Sequence, residues 1–174
     1  MKKQHGFTLI ELLVVIAVIG VLAAVILASL NDARAKARDA KRVSDLHQIR
    51  SALEMYYNDN GYYPPTSCGY DCNSYRISTD ANWQSTLGAA LAPYIPALPI
   101  DPINNIGGPW VTGNYSYSYG NVTRTTYAPG YDLTGQFETN HPLRCALKQY
   151  KFWYNNANAW CGSYSPFLYE VSTS

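Results

Sequence analysis

Histidine is scarce, with three in 174 residues. His5, His47 and His141 stand in unrelated parts of the chain. No serine sits in a nucleophile-elbow motif, and there is neither a glycine-rich phosphate loop nor a metal-spaced histidine pair. The usual catalytic constellations are therefore excluded, and the chain reads as something other than an enzyme. Net charge is also nearly absent, at +1, so no global field draws nucleic acid or an acidic partner. Proline is missing before Pro64, and nothing in that long opening forces a helix to break. Cysteine is missing before Cys68. Between Leu12 and Leu30 the chain carries no ionisable side chain at all.

What fills that uncharged stretch is Leu, Val, Ile and Ala, interrupted between Leu12 and Ala28 only by Gly20. A helical run of this length can cross a hydrocarbon core about 30 Å thick. Glu11 stands inside its opening turns. A carboxylate in a membrane segment is costly, which marks it as functional. A cleaved secretory signal would have a shorter apolar core. A simple signal anchor fits the length but explains neither Gly6-Phe7 nor Glu11. Gly20, Ala24 and Ala28 add small-xxx-small spacing that permits close helix contacts.

Residues 1–30 resemble the N-terminus of type IV pilins and of the pseudopilins of type II secretion and competence systems. The resemblance rests on the basic leader Met-Lys-Lys-Gln-His-Gly, then Phe7-Thr8-Leu9-Ile10-Glu11 and the apolar run. It implies cleavage by a prepilin peptidase between Gly6 and Phe7, with methylation of the new Phe7 amine. It also implies that Glu11 registers neighbouring subunits. That amine lies about 6 Å along the helix from Glu11, and both charges are expensive in lipid unless paired. An incoming Phe7 amine meeting Glu11 of an assembled subunit would relieve both.

Beyond the apolar run a helical pattern continues to about Asn58. Leu46, Ile49, Leu53 and Tyr56 form one stripe able to pack on a head domain, and Ala33, Ala37 and Ala40 form a narrow one. A helix over 7–58 would be roughly 75–80 Å long at about 1.5 Å per residue. Gly61 is positioned as its left-handed cap. Arg34, Lys36, Arg38, Lys41 and Arg42 interleave with Asp32, Asp39 and Asp45, which reads as a solvated, internally paired face. This cluster makes charge alone ambiguous about orientation, and the pilin resemblance places the head outside. The partial neutralisation and lack of aromatics argue against a nucleic-acid surface.

The remainder is poor in charge and rich in tyrosine, holding fourteen of the sixteen. Residues 62–114 read as a loop-rich connection with a short helix over 83–91. Leu98-Pro99-Ile100-Asp101-Pro102 resembles an element of major secretion pseudopilins, and the proline density makes it a rigid turn. Tyr115, Tyr117 and Tyr119 alternate with serines as in a strand, and a second strand is expected within 127–137. Four cysteines allow three pairings. Closure of local loops favours Cys68–Cys72 and Cys145–Cys161, and their position beyond a membrane segment suits an oxidising compartment. Asp101, Asp132 and Glu138, with Asn140, are the oxygen-bearing candidates for the calcium loop that the secretion resemblance implies. The family's glycine- and aspartate-rich ending is absent here. A cofactor is otherwise not expected. The aromatic tail over 141–174 resembles the variable loop of type IV pilins.

The expected fold is α+β: a long N-terminal helix packed through its distal half on a small antiparallel β-sheet head. Its parts are a leader (1–6), a membrane and filament-core helix (7–30), an amphipathic continuation (31–60) and a head with disulfides (61–174). The tail tips the balance toward a type IV pilus subunit serving adhesion, motility or DNA uptake. The alternatives are the major pseudopilin of a type II secretion system and a membrane-anchored binding protein that does not polymerise. Expected partners are further copies in a helical filament, a prepilin peptidase, an inner-membrane assembly platform and its ATPase. The precursor would sit in the inner membrane and the product in a surface pilus or a periplasmic pseudopilus.

Overall fold

The computed structural model describes residues 8–66, 75–122, 130–145 and 167–172. The chain divides into two compact units, Met1–Ala37 and Arg38–Ser174. One α-helix, α1 (Leu9–Asn60), contributes residues to each.

In the first unit the large apolar side chains of α1 from Leu9 to Leu27 are exposed. A window of eighteen residues there has a mean hydropathy of 3.1, long and apolar enough to cross a membrane. Such a stripe-free helix, apolar all round, is the kind that lipid or other helices surround.

In the second unit the expected apolar stripe is the seam of the core. Leu46, Ile49 and Leu53 are fully buried, Ala52 nearly so, and Tyr56 packs at the edge. Their three- and four-residue spacing places them on one helix face. Truncating any of the buried aliphatics to alanine would cost about 2–5 kcal/mol. The helix ends as the sequence suggests, two residues later than expected. Gly61 has φ of +77° and its N–H donates to Tyr57 O at 2.8 Å. The Asn60 side chain closes a further carbonyl, that of Tyr56, at 2.8 Å.

The sheet is antiparallel, in the order β1 (Arg76–Ile77), β2 (Ser118–Val122), β3 (Gly130–Gln136), β4 (Leu168–Ser172). Tyr119 pairs with Leu133, and Leu133 with Val171. Strand alternation sends Tyr117, Tyr119, Tyr131, Leu133, Tyr169 and Val171 to the shared core. Gly135 lies on that face against α1, since a Cβ there would stand 3.4 Å from Leu46 Cδ1 and 3.2 Å from Tyr117 Cδ1. The opposite face carries Ser118 and Thr134, whose hydroxyls share a 2.6 Å hydrogen bond. Gln136 reaches from it to the carbonyls of Pro109 and Val111. This is the α+β fold expected, a long helix with a small antiparallel sheet.

The expected helix over 83–91 is present as a π-helical turn, Trp83–Gly88, continuing into α2 (Ala89–Leu91). Trp83 is fully buried, and its indole N–H donates to Pro99 O at 2.9 Å. The proline-rich turn is thereby held against this segment. Two strands were not foreseen: β1 in the stretch read as loop, and β4 in the stretch read as tail.

Candidate functional site

Among the described residues two main polar networks stand out, one in each unit. At the start of α1, Thr8 and Glu11 cap the helix reciprocally. Glu11 Oε2 accepts the Thr8 backbone N–H at 2.8 Å and the Thr8 hydroxyl at 2.7 Å. The Glu11 N–H in turn approaches Thr8 Oγ1 at 3.3 Å, and Thr8 O accepts the first intrahelical bond from Leu12. A threonine followed three residues later by glutamate is a capping box. The pattern Thr8-Leu9-Ile10-Glu11 was there to be read, yet the carboxylate was assigned only an intermolecular role. Gly6 and Phe7, the expected processing site and the source of the amine, lie outside the described residues.

The second place is built around Arg42. The face Arg34–Arg42 was expected to be solvated, and the structure corrects this in part. Asp39 is fully buried and Arg42 is 1% exposed. The Arg42 guanidinium donates through Nε and Nη2 to both oxygens of Asp101, at 2.7 and 3.0 Å. Its Nη1 donates to Asp39 Oδ1 at 2.8 Å and to Glu138 Oε1 at 2.6 Å. The ring of Tyr115 lies against it, 4.9 Å from centroid to Cζ. Arg38 adds two more hydrogen bonds to Glu138.

The two aspartates are also tied to backbone. Asp39 accepts from the N–H groups of Glu138 and Thr139 and from the Thr139 hydroxyl. Asp101 Oδ1 accepts from Ile103 and Asn104. One guanidinium thus fastens α1, the proline-rich turn and the exit of β3 together. Burial pushes the Glu138 carboxyl up, but hydrogen bonds from Arg38 and Arg42 outweigh it and hold it below its ordinary value. The Arg42 guanidinium stays charged: burial disfavours this, yet the bonds and charges of Asp101 and Glu138 raise its pKa. Spacing within α1 signalled the Asp39–Arg42 pair, but nothing local signalled partners 59 and 96 residues away.

The calcium candidates are accordingly divided. Asp101 and Glu138 meet at Arg42, where a guanidinium takes the place a cation would need. Asp132 lies on β3 between Tyr131 and Leu133, on the opposite sheet face. Among the described residues no group of three or more His, Cys, Asp or Glu is arranged for a metal ion. The three named residues do not fit one calcium cradle. Cys145, the one cysteine described, is disulfide-bonded. Cys68, Cys72 and Cys161 lie outside the described residues.

A third, smaller network belongs to the tyrosines. Glu54 accepts the hydroxyls of Tyr63 and Tyr131, each at 3.0 Å. Asp45, nearly buried, accepts that of Tyr117 at 2.9 Å and pairs with Lys41. Burial, with these carboxylates beside them, pushes all three phenols well up. Among the described residues no arrangement supplies a nucleophile with a base, and the geometry of these networks is that of a fastening.

Comparison with known proteins agrees with this. Residues 1–27 match the prokaryotic N-terminal methylation motif, and residues 29–121 match the type II secretion system protein G family. The type II secretion system core protein G of Escherichia coli is 40% identical over 105 residues, covering 59% of this chain and 69% of the relative. That of Aeromonas hydrophila is 36% identical over 104 residues, covering 60% and 71%. That of Vibrio cholerae is 35% identical over 105 residues, covering 60% and 69%. No solved structure matches the chain. With an N-terminal methylation motif and a matching segment that takes in most of α1, the proline-rich turn and β2, the chain belongs to the type II secretion system protein G family, a family of structural subunits and not of enzymes.

Proposed function

We propose that the chain is the major subunit of a type II secretion pseudopilus. The precursor sits in the inner membrane through the apolar part of α1. A prepilin peptidase cleaves between Gly6 and Phe7, and the Phe7 amine is methylated. An inner-membrane platform and its ATPase then add subunits to a helical homo-oligomer that extends into the periplasm. The observation that carries this reading is Glu11 at the head of a helix whose large apolar side chains from Leu9 to Leu27 are exposed. Its Oε2 is used by the Thr8 cap, leaving carboxylate capacity for one cation from a neighbouring copy. Burial of the apolar side chains between packed helices would hold the filament, and pairing of Glu11 with a neighbour's amine would set its register.

The surface-pilus alternative drew its weight from the tail. That tail lies beyond the segment matching the secretion family, whereas Leu98-Pro99-Ile100-Asp101-Pro102 lies within it. The balance therefore moves to the pseudopilus. The pairings Cys68–Cys72 and Cys145–Cys161 are part of the same proposal, and peptide mapping under non-reducing conditions reads them directly.

The test compares wild type with Glu11→Ala in cells that express the chain at its natural level. Short filaments in the envelope fraction of the wild type, absent from the variant while its N-terminus is still processed at Phe7, support the proposal. Long filaments in sheared surface material would overturn it in favour of a pilus. Processed protein that never sediments as filaments, in wild type as in variant, would leave an anchored binding protein.

A further inference from the structure

Two features of the second unit have no counterpart among the described residues. Near the C-terminal end of α1, Glu54, Met55, Asn58, Asp59 and Tyr94 line an open cleft of about 370 Å³. Its lining holds two carboxylates and no lysine or arginine. Met55 is 47% exposed. The Tyr94 hydroxyl donates to Asp59 Oδ2 at 2.8 Å, which fixes that carboxylate at the rim.

The other feature is the turn that follows β3. His141 N donates to Thr139 O at 2.8 Å and Arg144 N to His141 O at 3.1 Å, while Leu143 N donates to His141 Nδ1 at 3.2 Å. The His141 ring stacks on Phe137, with centroids 4.1 Å apart. Cys145, at the far end, is disulfide-bonded. This braced turn presents Leu143, 40% exposed, beside an exposed Arg144 that makes no ion pair with a described residue. Such a preorganised knob loses little freedom on binding.

We propose that the Leu143–Arg144 turn of one copy seats in the Met55–Asp59–Tyr94 cleft of a second copy. The leucine lies against Met55 and the Tyr94 ring, and the guanidinium sits on the Asp59 carboxylate. The inference rests on the pseudopilus reading and deepens it. Complementary charge and apolar character select the occupant: an acidic, part-apolar cleft receives a cation next to a leucine.

Position selects the geometry. Thr139, at the root of the turn, is bonded to Asp39, while the cleft opens around Asp59. Twenty residues of one helix at about 1.5 Å each separate those points by roughly 30 Å. The two patches are different surfaces at opposite ends of the same helical segment. In a filament the contact is made head to tail, each copy offering its turn to one neighbour and its cleft to the other, and repetition extends it where the rotation does not close a ring. Residues 141–145 also lie beyond the segment 29–121 that matches the secretion family, so the contact is an addition of this chain to whatever the shared segment provides.

A charge swap on the full-length chain tests it, with filaments sedimented from envelopes of expressing cells and the resistance of each detergent-solubilised variant to protease as the check on folding. Arg144→Asp and Asp59→Arg should each lower filament yield at least tenfold, and the double variant should return it to within twofold of wild type. Single variants that assemble like wild type would overturn the contact while leaving the pseudopilus reading intact, as would failure of a protease-resistant double variant to recover. A photo-crosslinking side chain at Leu143 gives a second measurement that does not depend on the swap. In wild-type filaments it should join to a peptide of another copy containing Met55 or Tyr94. A crosslink to any other surface would overturn the proposal. Absence of filaments from the wild type would remove the pseudopilus reading itself, and this contact with it.

Discussion

Arg42 and Asp101 face each other as a two-pronged pair, Nε 2.7 Å from Oδ2 and Nη2 3.0 Å from Oδ1, across 59 residues of chain. Both side chains are essentially without solvent exposure. A planar guanidinium is the one side chain that can present such a fork and still donate a third arm to Asp39 and Glu138. The pair closes the loop between α1 and the proline-rich turn, and the strand exit is locked by the same group.

Removing Arg42 should therefore be among the most damaging single changes in the head. Arg42→Met would leave Asp39 and Asp101 buried without their cation, and Glu138 with Arg38 alone, at a cost of about 3–5 kcal/mol. Arg42→Lys should recover only part of this, because one ammonium cannot span three carboxylates. Urea unfolding of the full chain in detergent, followed by tryptophan fluorescence, measures both. A loss below about 1 kcal/mol for Arg42→Met, the range of exposed ion pairs, would show that the clamp is not a stabilising element.

Glu138 gives that clamp an acid limit. Burial works against its charge, but Arg38 and Arg42 hold its folded-state pKa below the ordinary 4.5. A carboxylate depressed in the folded state contributes stability that is fully present above its unfolded pKa and is lost as pH falls through the folded value. Melting temperature should thus be flat from neutrality down to about pH 4.5 and decline below it. Glu138→Gln should start lower at pH 7 and decline less steeply in acid. Parallel acid limbs for the two proteins would contradict the assignment.

How much of this could be read beforehand divides along the range of the interactions. Leu46, Ile49 and Leu53 announce their face through helical spacing, Gly61 announces the stop, and the alternation of Tyr115, Tyr117 and Tyr119 announces a strand that in the structure begins at Ser118. Those signals are local, and the structure follows them. Arg42 sent no such signal, because charges interleaved along a helix look solvated until distant Asp101 and Glu138 are folded onto them. Strand β4 went unrecognised for a related reason. Leu168 to Ser172 become a strand through pairing with β3, not through five residues of propensity. The capping role of Glu11 was legible in Thr8-Leu9-Ile10-Glu11 and was overlooked, since the lipid cost of the carboxylate drew the whole explanation.

The tyrosines set an alkaline limit of the opposite sign. Tyr63, Tyr117 and Tyr131 are buried beside carboxylates, and their pKa values are raised above the ordinary 10. A raised phenol contributes stability that is complete below its unfolded pKa and is lost as pH rises toward its folded one. An alkaline absorbance titration of the folded chain should first show exposed phenols such as Tyr62, 53% exposed. The buried group should ionise only together with cooperative unfolding, above pH 10. Glu54→Gln keeps an acceptor but removes the charge that helps hold these phenols protonated, so it should shift that cooperative step downward for Tyr63 and Tyr131. A titration in which all tyrosines ionise in one unperturbed step, with the fold intact, would contradict the burial.

Glu11 can be made to separate its two roles. Glutamine at N3 of a capping box still reaches back to the N-cap residue, whereas alanine does not. Glu11→Gln should therefore keep the first turn of α1, and Glu11→Ala should lose about 0.5–2 kcal/mol of local helix stability there, seen as faster amide exchange at Leu9–Leu12 in micelles. Thr8→Val removes the hydroxyl from the cap and leaves the charge. If register depends on the carboxylate charge meeting a neighbour's amine, Glu11→Gln and Glu11→Ala should both abolish filaments, and Thr8→Val should retain them with a frayed first turn. If capping alone is what assembly needs, Glu11→Gln would assemble and Thr8→Val would fail. Both outcomes are read from the same two fractions, sedimented filament and processed monomer, so the charge and the cap cannot be mistaken for one another.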